Sequence, residues 1–270
     1  MRPVRLLPPP AFGLTQPRSP APRSSRRAAT PPGRVVDQLL REGEMGAPVT
    51  GYFLFKRGLD FVLAAALLVL SAPVLLAAMV LVKLTSRGPM AYTQTRIGFA
   101  GRTFTIFKVR TMIHNCESLT GPRWAVPDDP RVTGVGRVLR KLHIDELPQL
   151  VNVLKGEMSL VGPRPERPEF VSTLEREIPH YQARHAVIPG ITGLAQLYLP
   201  PDTEVAHVER KLAYDLYYAR HFGLGMDLAI LAGTALKVLG LPGRLVRDVV
   251  PLRAEEEAPA TWVPSRSRAA

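Results

Sequence analysis

The chain has 270 residues, 46% of them hydrophobic, a formal net charge of +12 and a single cysteine. That apolar content suffices for one large or two small cores, and the lone Cys116 excludes an intrachain disulfide framework and a cysteine-based zinc site. Seven arginines (Arg2, Arg5, Arg18, Arg23, Arg26, Arg27 and Arg34) precede Asp37, the first acidic residue, so more than half of the excess charge lies in the N-terminal tail.

Residues 1–48 are rich in Pro, Arg, Ser and Ala and lack apolar periodicity, which predicts a disordered basic tail. No continuous apolar run of the signal-peptide kind is present in it, so secretion by that route is not expected. One aromatic, Phe12, stands among its arginines, too few for a nucleic-acid stacking surface. Basic residues beside an apolar segment instead suit the anionic headgroups of a lipid bilayer, and no nucleic-acid partner is expected.

Residues 49–88 form the membrane segment. Positions 61–82 hold 22 residues without a charge, with Pro73 near the middle and Ser71 two residues before it. As one helix this run would reach about 33 Å, enough to cross a hydrocarbon core. Proline removes a backbone N–H and clashes with the carbonyl four residues back, which predicts a kink or reversal. Lys56 and Arg57 precede the run and Lys83 and Arg87 follow it, and a crossing helix would place one pair on the trans side against the positive-inside bias. A re-entrant helix and a kinked spanning helix both remain open on these features.

Residues 89–240 read as a folded domain. MAYTQT (90–95) and RTFTIFKV (102–109) alternate around GFAG, which predicts a β-hairpin. Phe104, Ile106, Lys108 and Arg110 share one face of the second strand, where the two cations suit either phosphate oxygens or a solvated edge. A polar loop over 112–133 follows, then helices at about 136–142 and 145–154, the latter stopped by Gly156. Prolines at 163, 165 and 168 stiffen the next run into an extended segment that aims Arg164. Two further helices are predicted near 204–221 and 224–239. The second is apolar but carries Asp227 and Lys237, which makes it interfacial or core-packed, and it could serve a homodimer as readily as a membrane surface. Residues 241–270 read as a C-terminal tail.

Asp145 and Glu146 are the most chemically loaded pair in the domain. One carboxylate at a helix start is explained by capping; a second adjacent one is not. Arg137, Arg140, Lys141, Lys108, Arg110 and Arg164 surround the pair in the sequence pattern. Cations for an anion's oxygens, one carboxylate for a metal and one to attack or take a proton would suit a phosphate-bearing substrate with a divalent cation. A plain salt-bridge network fits the same residues. No phosphate-binding glycine loop, dinucleotide fingerprint or zinc-protease motif is present in the sequence. His143 lies nearest the pair, but a lone histidine is more often structural.

KRGLD, the proline-centred apolar segment, GPMAYTQTRIGFAGRTFTIFKVRTM, RVTGVGRVLRKLHIDELPQLVNVLKGEMSLVGPRPERPEF and IPGITGLAQ follow one another between Lys56 and Lys237. In content and order they resemble the bacterial sugar transferase family, the monotopic polyprenol-phosphate phosphoglycosyl transferases. The resemblance implies an α+β fold, mostly helical, with a small β-hairpin, amphipathic interfacial helices and a re-entrant membrane helix broken at Ser71 and Pro73. It implies that Asp145 attacks the sugar-linked phosphate of a UDP-sugar, releasing UMP and leaving an aspartyl-phosphosugar. Glu146 would hold Mg2+, polyprenol (undecaprenyl) phosphate would take the phosphosugar, and Arg140 and Arg164 would contact phosphate or nucleotide. Lys108 and Arg110 match the family's K-x-R-T-M strand as further substrate-binding candidates.

The resemblance further implies a bacterial inner membrane enzyme, its active site on the cytoplasmic face, that starts exopolysaccharide, capsule or O-antigen synthesis. The length is that expected of the minimal catalytic form. Two departures bear on geometry. Ala72 separates Ser71 from the proline, where the family often has Ser directly before it, and His143 and Ile144 stand where the family often shows Ser or Thr. Asp128 and Asp129 have no role that the sequence assigns. The rival readings are a non-catalytic membrane adaptor for acidic partners and a single-displacement transferase with Asp145 as base.

Overall fold

The computed structural model describes residues 50–118, 121–126, 128–200, 205–243, 245 and 249. The expected basic tail 1–48 and most of the expected C-terminal tail lie outside the described residues. Helix α1 spans Thr50–Thr85 with Pro73 inside it. The backbone stays helical through the proline. Ser71 Oγ approaches the Leu68 carbonyl at 3.5 Å rather than relieving the proline directly.

Both arms of α1 pack on the domain while its middle is mostly exposed. In the first arm Asp60 accepts from Ser159 Oγ at 2.7 Å, and Ala64 enters the main core. In the second arm Ala78 and Val82 pack with Val109 and Leu139. Lys56 and Arg57, expected at lipid headgroups, are used inside the protein instead. Lys56 is 8% exposed and pairs with Asp227 at 2.6 Å, and Arg57 donates to the Met158 carbonyl at 3.1 Å.

The hairpin consists of β1 (Ala91–Ile97) and β2 (Thr103–Val109), paired antiparallel from Ala91 opposite Val109 to Ile97 opposite Thr103. Thr133 caps α2 (Gly134–Lys141) by accepting from the Gly136 N–H at 2.9 Å. Gly136 is required there, because a Cβ would meet the Thr111 carbonyl oxygen at 2.1 Å. A left-handed residue, His143 (φ 55°), turns the chain into a 3-10 turn at Ile144–Glu146. Helix α3 (Gln149–Lys155) then starts after Pro148 and ends on Gly156, at φ 87°. The single helix expected from Asp145 is therefore a tight turn followed by a helix, since Pro148 supplies no N–H.

Strand β3 (Ser159–Val161) pairs in parallel with β4 (Gly190–Thr192). Between them lie the extended 162–167 segment, α4 (Pro168–Glu177) with proline in its first turn, and a 3-10 run at Tyr181–Ala186. Helices α5 (Leu194–Tyr198), α6 (Val205–His221) and α7 (Leu224–Val238) complete the fold. The main core joins Ala64, Ile106, Leu150, Met158, Tyr218 and Ile230, so α1, the hairpin, α3 and α7 share one apolar interior. Asp227 is buried and accepts from Lys56, Tyr52 and Tyr218, which packs one face of α7 on the core while Leu224, Leu228 and Val238 stay exposed on the other.

Candidate active site

The positively charged face of β2, the 3-10 turn after α2 and the proline-stiffened 162–167 segment converge on one carboxylate. Glu146 accepts from Lys108 Nζ at 2.8 Å and from both terminal nitrogens of Arg164, one of them at 3.2 Å. Burial opposes the ionisation of Glu146, but the adjoining Arg164 and Lys108 outweigh it and hold this carboxyl well below its usual range. Arg164 in turn is held charged by Glu146.

Asp145 is placed differently. It is 7% exposed, lines the same cavity, and its carboxylate accepts no hydrogen bond from another described residue. Burial and the neighbouring Glu146 charge push its pKa up, against the pull of Lys108, Arg140 and Arg164. An ionised carboxylate in this position is poorly satisfied by its own protein.

Arg140 comes from the last turn of α2 and donates from Nε to Thr111 Oγ1 at 2.8 Å, with no carboxylate partner among the described residues. Arg110 does not share this role. Its guanidinium donates to the carbonyls of Pro89 (2.5 Å), Ser86 (3.1 Å) and Met112 (3.4 Å), so it ties the end of α1 to the hairpin. The structure thus gathers Asp145, Glu146, Lys108, Arg140 and Arg164 at one place, and Arg110 lines the same cavity while its guanidinium donates to backbone carbonyls. Ser71 lines the cavity, whereas Pro73 is exposed on α1. His143 also lines it, supplying the turn that presents Asp145.

The cavity holds about 1030 Å³. One part of its wall is apolar, with Leu67 and Leu70 of α1 and Leu231 and Val238 of α7. Another carries the carboxylate pair, and a third carries Glu117, Trp124 and Arg131 from the chain between β2 and α2. Asp129, unassigned from sequence, fixes that loop: it receives Arg131 Nη2 at 2.6 Å and Nε at 2.9 Å.

Sequence reasoning also missed Arg184. Buried at 2% exposure, it pairs with Asp215 at 2.6 Å and donates to the Arg164 carbonyl at 2.8 Å, which holds the segment bearing Arg164 in place. Arg96 grips the same segment from β1 through the Pro165 carbonyl at 3.1 Å. An arginine in the YQARHA run carries no spacing signal; its role exists only once the 3-10 run lies against the extended segment.

The family model described as bacterial sugar transferase matches residues 51–240. The chain belongs to the bacterial sugar transferase family. Among relatives of this family member is the UDP-N-acetylgalactosamine-undecaprenyl-phosphate N-acetylgalactosaminephosphotransferase of Aeromonas hydrophila. The two are 44% identical over 209 residues, 77% of this chain and 49% of that protein. A UDP-glucose:undecaprenyl-phosphate glucose-1-phosphate transferase of Caulobacter vibrioides is 46% identical over 188 residues, 69% of this chain and 70% of the relative. The exopolysaccharide production protein PSS of Rhizobium leguminosarum bv. phaseoli is 38% identical over 191 residues, 69% of this chain and 96% of its own length. Against the Aeromonas protein and a Xanthomonas campestris relative, the match spans about half or less of the relative's length. The matched region of this family member contains every residue of the carboxylate and cation cluster.

Among the described residues, α1 is the one helix long and apolar enough to cross a membrane. No group of three or more His, Cys, Asp or Glu side chains among them is placed to hold a metal by itself. The carboxylate pair nevertheless suits a hard cation. Three donors occupy three of the four acceptor positions on Glu146, leaving one on Oε2, and Asp145 is open to the cavity. Magnesium commonly takes one or two carboxylates and fills its remaining positions from substrate phosphates and water.

Proposed function

We propose that this protein transfers a phosphosugar from a UDP-sugar to a polyprenol phosphate such as undecaprenyl phosphate, releasing UMP, through an intermediate on Asp145. The carrying observation is the contrast within the dyad: Glu146 is ion-paired with Lys108 and Arg164, while Asp145 faces the cavity without a hydrogen bond from another described residue. An Asp145 Oδ attacks the sugar-linked phosphorus, forming a P–O bond as the bond to the UMP oxygen breaks. Arg140 and Arg164 lie where they neutralise phosphate charge in that step. A phosphate oxygen of the polyprenol then attacks the same phosphorus, and the Asp145 carboxylate leaves. Asp145 and Glu146 would hold Mg2+, which when bound supplies further neutralisation of the diphosphate.

The apolar wall from α1 and α7 beside the polar dyad supports two substrates of opposite polarity meeting in one cavity. The printed names of relatives support the same donor and acceptor classes. A re-entrant α1 at the cytoplasmic face of the bacterial inner membrane is part of this reading. It is supported by Asp60 and Ser86, which flank the uncharged run and both bond to the same domain. In a spanning arrangement those flanks would be separated by about 30 Å of hydrocarbon. Initiation of exopolysaccharide, capsule or O-antigen synthesis would follow from the lipid-linked product.

The test is intact-protein mass spectrometry after incubation with UDP-sugar and Mg2+ and without polyprenol phosphate. A phosphosugar adduct on the wild type and none on Asp145→Asn is expected. Turnover without an adduct would favour single displacement, and UMP release unchanged in D145N would overturn the reading.

A further inference from the structure

The cations around the cavity fall into two groups. Lys108 and Arg164 are committed to Glu146, Arg96 and Lys211 to Glu166, Arg131 to Asp129, and Arg167 to Glu117. Arg110, Arg123, Arg140 and Lys237 line the same cavity without a carboxylate partner among the described residues, and of these Lys237 is the one carried by α7. It lies in the last turn of α7, lines the cavity, and its Nζ donates to one neutral atom, the Gln196 carbonyl, at 2.5 Å. No carboxylate among the described residues pairs with it.

Its surroundings mix a short polar band with an apolar wall. One turn back, Thr234 shares a 2.7 Å hydrogen bond with Thr192, and both line the cavity. The Thr192 carbonyl accepts from the Gly162 N–H at 2.9 Å, two residues before Arg164, so this band adjoins the segment that builds the dyad. Leu231 and Val238 flank Lys237 on α7, and Leu67 and Leu70 of α1 line the same cavity. The two helices are joined near their starts by the ion pair of Lys56 with Asp227. From that joint, Leu67 lies about 16 Å along α1 and Lys237 about 15 Å along α7. A cation in that position gains from a ligand that brings negative charge and an apolar chain together.

Resting on the function proposed above, we propose that Lys237 docks the phosphate of the lipid acceptor where the apolar wall meets the polar band. The first isoprenes then lie against Leu67, Leu70, Leu231 and Val238. The ligand is a phosphate monoester on a long apolar chain, as opposed to the phosphodiester headgroup of a bilayer lipid. Lys237 is thereby an acceptor-side group, and Arg140 and Arg164 serve the donor.

The experiment measures equilibrium binding of undecaprenyl phosphate and of undecaprenol to the full chain in nanodiscs by native mass spectrometry. It compares the wild type, Lys237→Met and Lys237→Arg, with and without phosphatidylglycerol in the disc. The expected result is a wild-type preference for the phosphate that falls at least tenfold in K237M, is largely kept in K237R, and is not abolished by phosphatidylglycerol. Equal phosphate binding by K237M and wild type overturns the proposal. So does full competition by phosphatidylglycerol, which would make the site a general headgroup contact. Because Lys237 is exposed, K237M is expected to fold, and retained undecaprenol binding checks that. This readout needs no turnover, so failure of the catalytic reading would appear separately, as a wild type that releases no UMP.

Discussion

Arg164 grips Glu146 through both terminal nitrogens of its guanidinium, while Asp145, one residue earlier in the chain, accepts no hydrogen bond from any described residue. Two adjacent carboxylates therefore have opposite electrostatic fates: ion pairing pulls one pKa down, and burial beside that charge pushes the other up. The division of labour proposed for the dyad rests on this difference. A carboxylate already paired with two cations is a poorer nucleophile than one that faces the cavity unbonded.

Lys108→Met should move the acid limb of the pH profile for UMP release to higher pH. Lys108 favours the charged form of Asp145, so its removal raises a pKa that burial has already raised. The proposed mechanism needs ionised Asp145, so activity would be lost at a higher pH as the solution is acidified, by on the order of one pH unit. Initial rates between pH 4 and 8 check this.

Glu146 should also mark the acid stability of the fold. Its folded pKa is depressed, so its contribution is present above the unfolded value of about 4.3 and is lost as pH falls toward the folded pKa. Thermal melts at pH 7 and pH 3 should show a smaller pH-dependent fall in Glu146→Gln than in the wild type. At pH 7, E146Q itself should be the less stable, because Lys108 and Arg164 lose their carboxylate.

Arg184→Met should destabilise by about 3–5 kcal/mol, because it breaks the buried ion pair with Asp215. R184M combined with Asp215→Leu should recover part of the lost Tm. Neither variant restores the bond to the Arg164 carbonyl, so the KM for UDP-sugar should stay raised in both, which separates positioning from stability.

Gly136→Ala should cost about 1–3 kcal/mol by overpacking, since the new methyl meets the backbone at Thr111. The same shift disturbs the bond from Arg140 to Thr111, so melts and the donor KM should worsen together.

A reporter placed before Tyr52 and another after Arg87 should both be cytoplasmic. Opposite sides would replace the re-entrant reading with a spanning helix, and protease protection in oriented vesicles decides between them.

The sequence alone determined the elements whose signals are local. Alternation and GFAG marked the hairpin, Gly156 the end of α3, and three prolines the extended run carrying Arg164. It also exposed Asp145 and Glu146, because two adjacent carboxylates at a helix start exceed what capping explains. Only the tertiary structure decided which cations reach that pair, since a strand places Lys108 and Arg110 on one face without saying what lies opposite. Lys108 met Glu146; Arg110 met backbone carbonyls. Lys56 read as a headgroup cation and became the partner of Asp227, 171 positions away. Periodicity reports which face of an element is apolar, but the partner of a charge is fixed by chain segments remote in sequence, and those become neighbours only when the core closes.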